Sequence, residues 1–580
     1  SDDGRTVFCS SSHEFSVTRQ NIWAFEWCYG ITQEGESDGY IRYSYETSNG
    51  NKGDLVGTDF RFGGTPVAIA PAPAPAPSPP PIVENSCAVC HGSSPAPTPT
   101  PTPTPPPAPT AGQPPLPIQD ASGTVRWAGR QVPTDADLTL WVEPFATIPN
   151  RSDGKPQRLN VMAYVGERIF VGAERSGLIY AIAENQPSLL WFDLAGALRE
   201  NGQQLNTADN FHVGLRSIAF HPDFENNGKF YVSAMLDRPV NTNGLTYLSD
   251  VAEPIEADGV LIEWEADPET MAVNWNSYRE VFRVGMPVYD HTIKQIQFGP
   301  DGLLYIAHGD GSVKSATTGG GQRLDDALGK ILRVNPLQSG DAPFSIPADN
   351  PFVGNPAALP EIYSLGHRNP HHIAFTPSGQ LIVADSGRDN LDEINLVEKG
   401  GDHGWSAREG TYVHLQGGGL LDGIAILPED DAANGYVYPA IQFGHTGPRG
   451  ANFVGQALGG GYVVNNNSPL QGKYFYCEFA TLGEVYFADV TEMEGTVRQG
   501  APSDLTQAQI HRAKIMFDHD GNPGTASVSR QSMTDVVNDS PNYDGSGRAD
   551  IRFGQGPDGT LYIMSKRNGT IYRIANSRPE

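Results

Sequence analysis

The chain has 580 residues, enough for a large core and for more than one domain. Its 39 Lys and Arg against 67 Asp and Glu give a net charge of -28, which argues against phosphate backbones and anionic membranes as partners and suits cations better. No uninterrupted apolar stretch approaches the roughly 18 residues of a membrane helix, so neither a nucleic-acid partner nor a membrane span is expected.

In chain order, composition divides the sequence into five parts: a small N-terminal module (1–65), a Pro/Ala-rich linker (66–82), a short island (83–94), a Pro/Thr-rich linker (95–119) and a long region (120–580). In the first module Cys9 and Cys28 are a candidate disulfide, which suits an oxidising compartment. Its Trp23, Phe25, Trp27 and Tyr29 read as a small core before they read as a carbohydrate-stacking surface. The tracts "PAPAPAPSPPP" (Pro71–Pro81) and "PAPTPTPTPTPPPAP" (Pro95–Pro109) are extended polyproline spacers. Between them "SCAVCHG" places Cys87, Cys90 and His91 in the C-x-x-C-H pattern of covalent haem c attachment. A dozen residues cannot bury a haem, and no methionine precedes Met162. A Cys87–Cys90 disulfide, a metal contact and a vestigial motif therefore stand beside haem as readings.

The long region repeats itself. "IAFHPDFENNGKFYV", "IQFGPDGLLYIAHG", "IAFTPSGQLIVADS" and "IRFGQGPDGTLYIMS" each give an apolar strand, a proline-containing turn and a second apolar strand. The prolines, Pro222, Pro300, Pro377 and Pro557, recur at near-even steps, the last step more than twice the others. Further strand groups begin at Leu159 and Gly459. Repeated hairpins with long loops predict an all-β fold, a six-bladed β-propeller preceded by the small N-terminal segment and its Pro-rich linkers. A chance-repeating β-sandwich is the alternative.

Four polar clusters sit beside these hairpins: "FHVGLRSIAF" with His212, "YDHTIKQIQF" with Asp290 and His291, "GHRNPHHIAF" with Arg368 and Asn369, and "GRADIRFG" with Arg548, Asp550 and Arg552. On successive blades they would converge at one end of the channel. His221, His367 and His372 are assigned to packing or turn bonding, and Cys477 to an inert buried thiol. The loop of Asp385, Asp389, Asp392 and Glu393 reads equally as a solvated turn. "FDHDGNPG", with Asp518 and Asp520, reads as a hairpin despite its likeness to a calcium loop.

The run "GHRNPHHIAFTPSGQLIVADSGRDNLDEINLVEKGGDHGW", with "GLRSIAFHPDFENN", "LGKILRVNP" and "GGGYVV" in the same order, resembles the soluble PQQ-dependent sugar dehydrogenases of the glucose/sorbosone dehydrogenase family. The resemblance implies a propeller holding pyrroloquinoline quinone (PQQ) and calcium on its axis. By this resemblance His291 is the general base, Asp290 the carboxylate beside it, and Arg368 the cation at the quinone oxygens, followed by Asn369. His212, Arg548 and Arg552 are further cofactor contacts. Gly387 and Arg388 would offer carbonyls to the calcium that holds PQQ, and Glu393, with the His403 carbonyl, would bind a second calcium. His212 and His371 replace glutamines of the glucose enzymes, and the lysine that grips a PQQ carboxylate there has no evident counterpart near "CEFATLGEV".

The expected activity is oxidation of the anomeric carbon of a small aldose to its lactone, with electrons passed to an external acceptor such as a cytochrome or other redox protein, in the periplasm or outside the cell. The rivals are a non-catalytic ligand-binding propeller and a calcium-dependent propeller lactonase.

Overall fold

In the computed structural model the chain divides into two units, Ser1–Ala108 and Pro109–Glu580. The structure describes residues 134–575, apart from residues 185, 209–211, 239–246, 248–256, 287–289, 313–320, 416–422, 445–456, 467, 481 and 520–527, together with the backbone of five strands between residues 15 and 57. The candidate haem residues Cys87, Cys90 and His91, Cys9, both proline tracts and Asp520 lie outside the described residues. In the first unit, Phe15–Val17 pairs with Gln20–Ile22, and Cys28–Ser37, Tyr40–Thr47 and Lys52–Gly57 form an antiparallel sheet.

The second unit is all-β apart from short helices. Six strands start its sheets: β1 (Leu159–Val165), β2 (Leu215–Phe220), β3 (Ile293–Phe298), β4 (Pro370–Phe375), β5 (Leu458–Val463) and β6 (Ile551–Gln555). The first four each lead an antiparallel four-stranded sheet of their own. In the sheet of β4 the fourth strand is Ile441–Gly444, which joins after an excursion through the small sheet around Tyr412–Leu415. β5 continues through Lys473–Glu478 and Val485–Asp489 to His511–Phe517, and β6 through Leu561–Ser565 and Thr570–Ala575 to Thr134–Thr147. That last strand comes from the beginning of the unit. It pairs antiparallel with Thr570–Ala575 and parallel with His511–Phe517, joining the two sheets edge to edge. Two sheet edges that would otherwise be open are thereby paired.

The six leading strands touch in the order β1, β2, β3, β4, β5, β6 and back to β1. The apolar clusters follow the same circuit. Phe170 and Ile179 meet Ile218, Phe230 and Trp264 between the first and second sheets, and Tyr231 and Leu261 meet Ile296 and Leu332 between the second and third. Tyr305 and Ile331 meet Ile373 and Val383, Ile382 meets Tyr474 and Tyr486, Phe475 and Phe487 meet Phe553 and Ile563, and Tyr562 and Met564 meet Met162 and Val171. With sheets on both sides, the leading strands are buried on both faces, and β2 is buried at every residue. Among the described residues no helix is long and apolar enough to cross a membrane.

Crowding at the ring centre explains "GGGYVV". Gly460 has φ +66°, and a Cβ there would lie 2.2 Å from His372 Cβ on β4. Gly460→Ala is expected to cost about 2–4 kcal/mol, since left-handed backbone and overpacking add. Urea unfolding measures it, and a loss below about 0.5 kcal/mol would contradict this packing.

Candidate active site at the mouth of the ring

Residues one to three positions before each of the six leading strands border one cavity of about 340 Å³: Arg158, His212, Asp290, Arg368 with Asn369, Ala457 and Arg548. The second strand of each sheet runs back antiparallel, so the residues that follow it arrive at the same end. Ser386, Gly387, Phe479 and Lys566 reach the cavity this way. The predicted cluster residues His212, Asp290, Arg368, Asn369, Arg388, Arg548 and Arg552 therefore share one cavity.

His291 lies one layer behind, 3% exposed. Its backbone takes φ +46°, uncommon for a residue with a side chain, and its N–H donates to Asp290 Oδ1 at 2.8 Å. Nδ1 meets Asp310 Oδ1 at 2.5 Å, while Nε2 lies 3.5 Å from Asp290 Oδ2. The other Asp310 oxygen accepts from Trp405 Nε1 at 2.8 Å, and the Asp310 backbone N–H donates to the Arg368 carbonyl at 2.8 Å. A carboxylate on Nδ1 orients the ring and leaves Nε2 as the proton acceptor. Burial first, then Arg368 and Lys294, push His291 down to about 4 against the pull of Asp310. The imidazole is therefore neutral at pH 7. Burial would raise Asp310, but His291, Arg368 and the Trp405 bond hold it below the usual carboxylate value. Asp290 itself is held by His212 Nδ1 and by Ser312 Oγ at 2.9 Å.

Arg368 is positioned through its backbone. Asp385 accepts from the Arg368 N–H at 3.1 Å and the Asn369 N–H at 2.7 Å, and His367 Nδ1 lies 3.3 Å from the same carboxylate. The Arg368 guanidinium lies over the Trp405 ring and donates to the Ser386 carbonyl at 2.8 Å and to the Gly387 carbonyl. Gly387 is needed because a Cβ there would lie 1.6 Å from the Leu391 carbonyl oxygen. Glu409 gathers the loop that follows: its Oε1 accepts the backbone N–H groups of Arg388, Asp389, Asn390 and Leu391 at 2.8–3.1 Å.

At Gly387 and Arg388, where the family resemblance implies a calcium, the Gly387 carbonyl accepts from the Arg368 guanidinium. Glu393 and His403 do not border the cavity. Glu393 pairs across strands with Asp385 and accepts from Gly410 N–H at 2.5 Å, and the His403 ring stacks on His367. Burial first, then Asp310 for Asp385 and Asp385 for Glu393, holds these two carboxyls above their ordinary range.

The cavity is strongly cationic: Arg158, Arg368, Arg388, Arg548, Arg552 and Lys566 surround it, with Asp290 its one carboxylate among the described residues. Arg552 lies 4.1 Å over the Phe479 ring, and Arg548 donates to Asp550 at 2.8 Å. Lys566 also borders the cavity, entering from the end of the second strand of its sheet rather than from the region of "CEFATLGEV". Lys566, Arg158 and Arg216 all pair with Glu174, which burial would raise but these cations hold well below the usual value. Asp310, Trp405, Arg158, Lys566 and Glu174 are the functional residues that the sequence motifs did not single out.

His221 accepts from the Asp223 N–H at 3.0 Å in a turn, and Cys477 is fully buried, its thiol pushed up chiefly by burial. Burial also pushes His308 down to about 4 and His367 and His372 to about 3, with His212, His371 and His403 lowered likewise. Unfolding frees these groups to protonate near pH 6.5, so their contribution is present above that pH and is lost as pH falls toward 4. Asp385 and Glu393, raised in the fold, act in the opposite sense, but two carboxyls are outnumbered by seven imidazoles. The urea midpoint is expected to fall between pH 7.5 and pH 5; equal midpoints would contradict neutral buried histidines.

Residues 176–416 match the family model Glucose / Sorbosone dehydrogenase. Among curated proteins, the chain is 28% identical to the HIPL2 protein of Arabidopsis thaliana over 54% of this chain and 51% of that one. It is 31% identical to quinoprotein glucose dehydrogenase B of Acinetobacter calcoaceticus, over 35% and 41% of the two chains, and 30% identical to Hedgehog-interacting protein of Homo sapiens, over 33% and 27%. The chain thus spans about half, or less, of the length of these relatives. Among solved structures, the apo-form of the soluble aldose sugar dehydrogenase from Escherichia coli aligns with a TM-score of 0.47 at 18% identity, covering 75% of this chain and 99% of that one.

Proposed function

Residues 176–416 belong to the glucose/sorbosone dehydrogenase family, and from that premise we propose that the ring is a six-bladed propeller whose mouth binds PQQ and oxidises the anomeric carbon of a small aldose to its lactone. The observation that carries this reading is the juxtaposition of a neutral, carboxylate-oriented imidazole with a cavity that six cations surround. A flat tricarboxylate suits the charge of that cavity: Arg548, Arg552 and Lys566 would hold its carboxylates, Arg368 and Asn369 its oxygens, and Phe479 would lie beside its plane. When bound, the quinone supplies a two-electron acceptor for hydride.

The chain's own residues supply positioning and proton handling. A sugar hydroxyl held at Asp290 is one carboxylate away from His291 Nε2, which takes the proton, while Asp310 stabilises the imidazolium that forms. Arg368, fixed by Asp385 and stacked over Trp405, offsets negative charge that accumulates in the cavity during reduction. Electrons then leave to an external acceptor, a small redox protein. Periplasmic or extracellular work suits the linkers and the candidate disulfide.

A non-catalytic binding role is the second reading, favoured by the HIPL and Hedgehog-interacting relatives. Dye reduction by protein supplied with PQQ and an aldose panel, with and without calcium, separates the two. His291→Ala is expected to keep PQQ binding and lose about 10³-fold in kcat, and Asp310→Asn about 10²–10⁴-fold, through loss of the base and of its orientation. Undiminished turnover in His291→Ala would refute its role as base; absence of turnover with every aldose in wild type would favour the binding reading.

A further inference from the structure

A second, smaller void lies deeper in the ring. It is bordered by the second or third residues of five leading strands, where the larger cavity takes the residues that precede them: Asn160, Arg216, Lys294, His372 and Arg552 face it, with Tyr462 from β5. Its volume is about 30 Å³, room for one or two water-sized groups. It shares His371 and Arg552 with the larger cavity.

The void is rich in donors and poor in negative charge. Lys294 Nζ, Arg216 Nε and both ring nitrogens of His372 are buried and make no hydrogen bond. Lys294 and Arg216 are 3% exposed and His372 7%. Glu174 serves Arg216 but also Arg158 and Lys566. Among the described residues, neither Lys294 nor Arg552 has a carboxylate within ion-pair distance; Arg552 reaches only His371 at 3.2 Å and the Gly459 carbonyl at 3.5 Å. Burial first, then Arg216 and Arg552, push the Lys294 ammonium well below its ordinary range, a cost that an anion beside it would relieve. Water can occupy such a space but cannot supply the missing charge.

We propose that this void binds one small inorganic anion of the halide class, held by Lys294 with Arg216 and His372 around it. The ion neutralises the floor of the channel and spaces Lys294 from Arg552. Its size limit follows from the void, which admits chloride or bromide and excludes a methanesulfonate. The site does not depend on the quinone reading, since the void exists in the chain alone, with His371 and Arg552 bordering both cavities.

Crystals of PQQ-free protein grown with bromide replacing chloride give the direct test. An anomalous peak beside Lys294 Nζ is expected in wild type and absent in Lys294→Met; a void in wild type that holds only water, or nothing, would overturn the proposal. Thermal unfolding gives a second readout that compares each variant with itself. In sodium chloride against sodium methanesulfonate at equal ionic strength, wild type should gain on the order of 2 °C and Lys294→Met nothing. Equal melting temperatures for wild type in the two salts would also overturn it. Neither readout involves catalysis, so failure of the sugar oxidation assay leaves this test standing.

Discussion

Six strands that begin at the same end of a closed ring are the constraint on which the site depends. Each brings residues from the one to three positions before it to one mouth, and residues that follow antiparallel second strands arrive at the same place. Arg158 and Arg548, far apart in sequence, become walls of one cavity only because Thr134–Thr147 ties the last sheet to its neighbour. Loss of that pairing would leave the polar residues without a common target. The interleaved apolar layers from Phe170 to Phe553 then fix the spacing, so the loops sit on a rigid base.

The charge distribution inverts across the molecule. The chain as a whole carries -28, yet the mouth gathers six cations around one carboxylate, and the void below adds Lys294 and Arg216. Folding accepts that repulsion because anionic ligands are what such a cavity is suited to receive. Burial keeps His291 neutral, Arg368 and Lys294 add to that effect, and Asp310 pulls the other way while orienting the ring. Base, orienting carboxylate and cation are linked through the backbone as well, since the Asp310 N–H meets the Arg368 carbonyl.

Much of this was legible in the sequence where a motif is contiguous. "YDHT" and "GHRNP" place Asp290, His291, Arg368 and Asn369 just ahead of apolar strands, and Asp290, Arg368 and Asn369 border the mouth with His291 one layer behind. The double step between Pro377 and Pro557 anticipates the strand that starts at Leu458. What stayed hidden comes from the other end of each hairpin. Asp310 in "HGDG", Glu174 in "AERSG" and Lys566 in "MSKRNG" follow second strands, and their positions at the mouth become visible only once the antiparallel return is known. Lys294 in "IKQIQF" carries no motif, and a strand at the centre of a ring buries it. The Gly387 carbonyl reads as a metal ligand from the family pattern, while the fold turns Arg368 onto it.

The central claim is that the mouth holds a redox quinone where a sugar can reduce it. Anaerobic titration of the full chain with PQQ, followed by addition of aldose under a spectrophotometer, measures this in one cuvette. The account predicts binding that saturates at one quinone per chain and conversion of the bound oxidised spectrum to the reduced one when sugar is added. A chain that binds no quinone, or whose bound quinone stays oxidised with every aldose supplied, would contradict it.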